Sequence, residues 1–247
     1  MIKLLNQLHA PSSGTEPATN YCMSEPFCLC PIKLNAEQCQ TLRDFCVKFD
    51  LKCVESLRFE VTHAIVATQD NNVCKTDVNI FKCLANGTAV ISFNWIQHSL
   101  KLTAMSKPDV WEVRGTEEFP GSEAFMKSRI ISQKLLPKLL NGLHVSLSPN
   151  WSGGWRDLSK NDVMDLVKEA GAVLLKREAD PHTTPEDEKT VMFHANCDGP
   201  MGICSHVALY VPGHKEPELK YNMTHHKTLS VKWLTDCLQT FSIVDPL

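Results

Sequence analysis

The sequence predicts an α/β protein built from two copies of one small module. A hydroxyl–histidine pair opens an apolar run twice, at Thr62-His63-Ala64-Ile65-Val66 and at Ser205-His206-Val207-Ala208-Leu209. Each run is followed about thirty residues later by a Trp inside an apolar helical stretch, Trp95 in one case and Trp233 in the other. Between these landmarks short apolar strands alternate with helical periodicities, the pattern of a parallel sheet covered by helices. A chain of 247 residues suits two modules of about 100 residues each.

In the first module, Phe27 to Ile32 predicts an opening strand. Asn35 is placed to cap a helix, with Gln38 in the capping-box position. Cys39, Leu42, Phe45, Cys46 and Phe49 then recur at spacings of three and four. Cys53-Val54 predicts a second short strand. Ala64 to Ala67, apolar throughout, predicts a strand covered on both faces. Val78 to Leu84 predicts a short helix closed by Asn86-Gly87. Ala89-Val90-Ile91 makes a fourth strand, and Ser92 is expected to cap the helix carrying Trp95, Ile96, Ser99 and Leu100.

Residues 102–130 break this rhythm with Pro108, Gly115, Pro120 and Gly121. The rhythm resumes with Leu135 to Leu140, the Asn141-Gly142 turn and an apolar strand at Leu143 to Leu147. Asp157 or Ser159 is expected to cap a helix with Val163, Leu166, Val167 and Ala170 on one face, closed by Gly171. Val173 to Leu175 predicts the next strand, and 177–190 a charged, solvated loop. Val191 to Ala195 predicts an extra strand. Val207 to Val211 repeats the buried strand, and Ser230 to Phe241 the Trp helix. The expected division is a flexible lead-in over 1–26, a first repeat over 27–104, an interdomain linker over 105–134 and a second repeat over 135–247.

Composition narrows the function. The 25 basic and 28 acidic residues leave a net charge of −3, so a broad basic stripe for strong direct nucleic-acid binding is not expected. The 11 cysteines are odd in number, scattered and often inside apolar runs, where free Cys behaves as a small hydrophobe. That usage points to a reducing compartment, cytosol or nucleus, rather than secretion. No run approaches the roughly 18 apolar residues of a membrane span. Asn6, Gln7 and His9 interrupt the apolar start and leave no full signal-peptide core. The chain reads as the tail of a longer protein.

The Thr-His strand, the Asn86-Gly87 turn and the Trp95 and Trp233 helices together resemble tandem BRCT (breast cancer C-terminal) repeats over roughly residues 27–247. Four stretches bring the chain nearer to the C-terminal pairs of RING-domain subunits of DNA-damage-response ubiquitin ligases. They are Leu34-Asn35-Ala36-Glu37-Gln38, Leu135-Leu136-Pro137-Lys138-Leu139-Leu140-Asn141-Gly142, Phe193-His194-Ala195 and Trp233-Leu234-Thr235-Asp236-Cys237. Trp111-Glu112-Val113-Arg114-Gly115 is similar to the inter-repeat linker of a related tandem pair. The resemblance implies two BRCT modules, each a four-stranded parallel sheet flanked by helices, packed head to tail. It implies a nuclear, non-catalytic interaction module without cofactors. Nucleosomes and histones, ubiquitin and phosphoproteins are the implied partners, and a RING partner would be held through regions outside this chain.

Pairs of this family commonly bind phosphoserine peptides. A hydroxyl and a Gly amide after the first strand and a Lys on the second helix hold the dianion. This chain departs from that pattern. Ile32 and Lys33 stand where the family has its Ser-Gly pair, and Asn79 stands where it has the Lys, with Asp77 two residues before. Each lost contact to a charged group removes about 1.5–3 kcal/mol, so the standard pocket is not expected. Lys33, Lys75 and Lys82 are the candidate substitutes, and the alternative reading is a phosphoserine-peptide module with an atypical pocket. Phe81 falls where the family lines the groove between the repeats. A second implied site is a basic side chain after the second strand of repeat two, which reaches an acidic histone surface; Lys176 and Arg177 occupy that place, and Arg suits an acidic pocket.

Simpler roles suffice for other conspicuous residues. Trp95 and Trp233 are explained as core anchors, and His63 and His206 as structural histidines. His194, Cys197, Cys204 and His206 have a spacing that matches no strong zinc pattern. Gly153-Gly154, between Trp151 and Trp155, reads as a turn and not as a phosphate loop. No nucleophile–base arrangement is apparent, and catalysis is not expected.

Overall fold

A computed structural model describes residues 27–149, 151, 155–182, 184–213 and 216–246. The expected lead-in over 1–26 and the Gly153-Gly154 turn lie outside the described residues. The first repeat runs β1 (Cys28–Ile32), α1 (Ala36–Phe49), β2 (Lys52–Cys53), β3 (His63–Val66), α2 (Val78–Asn86), β4 (Ala89–Ser92) and α3 (Asn94–Leu102). A helix α4 (Ala124–Gln133) follows. The second repeat is β5 (His144–Leu147), α5 (Lys160–Glu169), β6 (Val173–Leu174), β7 (His206–Tyr210), β8 (His226–Ser230) and α6 (Val231–Thr240). Each repeat forms a four-stranded sheet, ordered β2-β1-β3-β4 and β6-β5-β7-β8. Every pairing within the two sheets is parallel.

Local chemistry sets the helix ends the same way in both repeats. Asn35 Oδ1 accepts from the Gln38 N–H at 2.8 Å, and Gln38 Oε1 accepts from the Asn35 N–H at 3.0 Å. At the start of α5, Ser159 Oγ accepts from the Asp162 N–H at 3.2 Å and Asp162 Oδ2 from the Ser159 N–H at 3.0 Å. Of the two candidate caps, Ser159 is therefore the one used. Gly87 ends α2 at φ +85°, and a Cβ there would come within 2.4 Å of the Ser132 Cβ. Glycine is needed both for the left-handed turn and for the close approach of α4.

Several expectations are corrected. Ser92 is the last residue of β4 and does not occupy the cap position; Phe93 does. The Ser92 hydroxyl lies 2.7 Å from Thr68 Oγ1 and also accepts from the Asn94 N–H at 3.2 Å. Val191 to Ala195 is not a strand. Its backbone turns back on the Asn141-Gly142 corner, where the Phe193 N–H donates to Asn141 O at 3.2 Å. The fourth strand of repeat two is β8, which sequence periodicity missed, as it missed α4.

The repeats meet head to tail. Helix α2 of the first packs against α5 and α6 of the second, and α4 packs against α2 and α6. One apolar core therefore crosses the boundary, joining Phe81, Leu84 and Phe125 to Val163, Leu166 and Leu238. A separate core belongs to repeat one alone, with Leu29, Leu42, Phe45, Ile65, Trp95 and Ile96. The two indoles are anchored alike. Trp95 Nε1–H donates to Ser106 O and Trp233 Nε1–H to Val244 O, each at 2.8 Å and each 11 residues ahead.

Candidate interaction sites

The end of β1 and the start of α2 lie side by side. Ile32 closes β1 and is buried. Lys33 follows at φ +50° with its side chain exposed, and its Nζ sits 3.6 Å from Asp77 Oδ2. Asp77 is itself buried and caps α2, its Oδ1 accepting from the Ile80 N–H at 2.8 Å. Asn79 is half-buried in the first turn, and Lys75 is exposed just before the helix. The helix amide nearest an incoming anion is thus already satisfied by a carboxylate, and that carboxylate also neutralises the nearest lysine.

The remaining candidates are not gathered there. Lys82 points across the repeat boundary, with its Nζ 3.6 Å from Asp162 Oδ1 on α5. Asp162 stays ionised more readily than an ordinary carboxyl, first because of the Ser159 hydroxyl and also because of Lys82. Phe81 is 1 % exposed within the shared core, so it offers little open surface. Lys82 also lines a cleft of about 990 Å³ walled mostly by the first repeat, His63 and Arg129 among its residues, with Glu169 contributed by the second repeat. Arg129 is engaged by both carboxylate oxygens of Glu112, at 2.8 and 2.7 Å.

Lys176 and Arg177 are exposed on the bend that follows β6, on the outer strand of the second sheet. Among the described residues neither takes part in an ion pair. Both cations are therefore accessible at the edge of the second sheet.

The two hydroxyl–histidine pairs are equivalent. Thr62 Oγ1 lies 2.9 Å from His63 Nδ1, and Ser205 Oγ lies 3.0 Å from His206 Nδ1. Burial pushes His63 down to about 4. His206, however, has company that the sequence reading missed. Strand register sets His144, His206 and His226 in one row across β5, β7 and β8. The four residues weighed and set aside as a zinc set do not share one environment: His194 lies against Pro137 O, Cys197 is exposed and Cys204 is buried. Among the described residues no group of three His, Cys, Asp or Glu side chains is placed to hold a metal ion. Ten of the cysteines fall within the described residues, and all ten are free thiols. No described helix is long and apolar enough to cross a membrane.

No family model matches the chain. It is 24% identical over 221 residues to human BRCA1-associated RING domain protein 1, covering 89% of this chain and 26% of that protein. It is 26% identical over 147 residues to the mouse breast cancer type 1 susceptibility protein homolog, covering 58% of this chain and 8% of that one. The chain thus spans about a quarter of the length of the first relative. Among solved structures, the BRCT5-BRCT6 domains of S. pombe Brc1 superpose with a TM-score of 0.51 at 15% identity, covering 89% of this chain and 94% of that one. Two four-stranded parallel sheets, each carrying a Trp helix and joined through α2, α5 and α6, together with the superposition on Brc1, give the chain the fold of a tandem pair of BRCT repeats.

Proposed function

We propose that the chain is a non-catalytic, nuclear protein-interaction module of a DNA-damage-response RING ubiquitin-ligase complex. In this reading it engages nucleosomes, including ubiquitinated ones, through Lys176 and Arg177. The observation that carries the reading is the similarity, along 89% of the chain, to a relative named for a RING domain and for association with BRCA1. The exposed cations after β6 supply the contact. The Asp77–Lys33 pair supports reading the first-repeat position as a poor phosphate site.

Binding to nucleosomes with and without histone ubiquitin, compared for wild type, Arg177→Ala and Lys176→Ala, tests it. Loss of a buried charge contact should weaken binding by about 2 kcal/mol or more, roughly thirtyfold, for Arg177→Ala. Unchanged affinity in both variants removes the proposed contact. Titration with a phosphoserine peptide tests the other mode. Tight, phosphate-dependent binding that Lys33→Ala or Asn79→Ala abolishes would replace the nucleosome reading with an atypical phosphopeptide pocket.

A further inference from the structure

The row His144, His206 and His226 has no role in the function proposed above. Its rings are stacked: His144 and His206 have centroids 4.7 Å apart with planes at 10°, and His206 and His226 are 6.2 Å apart at 2°. His206 is 1 % exposed and His226 3 %. His206 Nε2, both ring nitrogens of His226 and His144 Nδ1 are buried without a hydrogen-bond partner among the described residues. Unsatisfied buried polar atoms are costly and call for a reason. Parallel rings do not aim their lone pairs at one point, so a shared metal ion is not that reason.

Two of these four nitrogens face carboxylates on the neighbouring surface. Glu188 Oε2 stands 3.7 Å from His206 Nε2, and Glu178 Oε1 stands 4.0 Å from His226 Nε2. Both separations are too long for a hydrogen bond and short enough for a small side-chain movement to close. Both carboxylates are partly exposed, which leaves them room to move. A cavity of about 460 Å³, with Thr184, Lys189, Asn222 and His225 among its walls, adjoins His206 and His226.

We propose that this row is an acid-operated latch: a proton taken up on His226 draws Glu178 into a direct ion pair and ties the adjoining Lys176–Arg177 stretch to the N-terminal edge of the second sheet, and a proton on His206 does the same for Glu188 and its own turn. The other groups facing the row are accounted for. Lys189 is paired with Glu186, His225 Nδ1 lies 2.8 Å from Ile203 O, and Tyr221 meets the His226 ring edge-on at 5.1 Å. Asp180 adds negative charge toward His226. Lys227, the next residue of β8, is turned to Asn222 Oδ1 at 2.8 Å. Burial, and for His206 the neighbouring imidazoles as well, holds both rings below the ordinary histidine range. The latch therefore engages on the acidic side of 6.5, and a charge on one ring opposes a second charge on its neighbour.

The test is an NMR titration of the imidazole ring resonances in the full chain, for wild type, Glu188→Gln and Glu178→Gln. In wild type, His206 and His226 should titrate below 6.5. Glu188→Gln should lower the His206 midpoint by about one pH unit, and Glu178→Gln should do the same for His226. His63 should not respond to either change. The amide resonances of Lys176 and Arg177 should shift with the midpoint of His226, whose partner Glu178 adjoins them. Midpoints that ignore both substitutions, or amides that ignore the proton, would overturn the latch. The measurement uses free protein, so it stands or falls apart from any nucleosome contact.

Discussion

The same register row is filled differently in the two sheets. In repeat one it reads Leu29, His63, Ala89; in repeat two it reads His144, His206, His226. The backbone and the central hydroxyl–histidine pair are shared. A lone imidazole between two apolar neighbours is a structural group, held neutral by burial. Flanked by two more, with carboxylates at 3.7 and 4.0 Å, it becomes part of a proton-sensitive set. The duplicated framework thus supplies the position, and the neighbours decide whether the position does any chemistry.

The largest effect expected from breaking this equivalence is at the two indoles. Each Trp→Ala change should cost about 3–5 kcal/mol, from lost packing and a cavity. Trp95 is fully buried in a core that belongs to repeat one, whereas Trp233 lies in the core that crosses into repeat one. Trp233→Ala should therefore lower the stability of both repeats together, while Trp95→Ala should act chiefly on its own sheet. Urea unfolding followed by hydrogen exchange resolves the two repeats. Equal loss of protection in both repeats for both variants would show that the cores are not separate.

A smaller effect follows from the central histidines. The unfolded His63 titrates near 6.5 and the folded one near 4, so the unfolded state binds more protons between these values. The stability contributed by a neutral His63 is fully present above 6.5 and is lost as pH falls toward 4, with no further loss below. At pH 5 that loss is about 2 kcal/mol. Stability measured at pH 7 and pH 5 should fall less in His63→Gln than in wild type. His206→Gln and His226→Gln should flatten the profile in the same direction, since burial lowers both groups. A wild-type profile flat across this window would mean that these rings are already solvated.

Much of this architecture was legible in the residues, because each element carries its own local signal. The Asn35–Gln38 box, the Gly87 turn and the paired His strands announce themselves. Strand β8 does not: His226-Lys227-Thr228 reads as polar, yet Lys227 is only 5 % exposed because its ammonium reaches Asn222. Helix α4 was hidden between Pro120-Gly121 and Leu135, in a stretch that reads as linker. Site positions could be named one by one, but their partners could not. That Asp77 caps α2 while neutralising Lys33, and that Lys82 crosses to Asp162, depends on packing between segments. The histidine row needs strand register, which no single segment encodes.

The smallest effect sharpens the comparison most cleanly, because here the repeats match in geometry and differ only in chemistry. Asn35→Ala and Ser159→Ala each remove the side-chain acceptor of a capping box at corresponding helices, α1 and α5. Each should cost about 1 kcal/mol. The Asn35 box is closed by a neutral Gln38, the Ser159 box by an ionised Asp162 that also faces Lys82 of the other repeat. The Ser159 variant should therefore lose its penalty partly on acidification, as Asp162 is protonated, and should respond to salt, while the Asn35 variant should do neither. Chemical denaturation in low and high salt separates the two. Identical salt responses would mean that the charge on Asp162 adds nothing to the cap, and that the contact from Lys82 across the repeat boundary is idle.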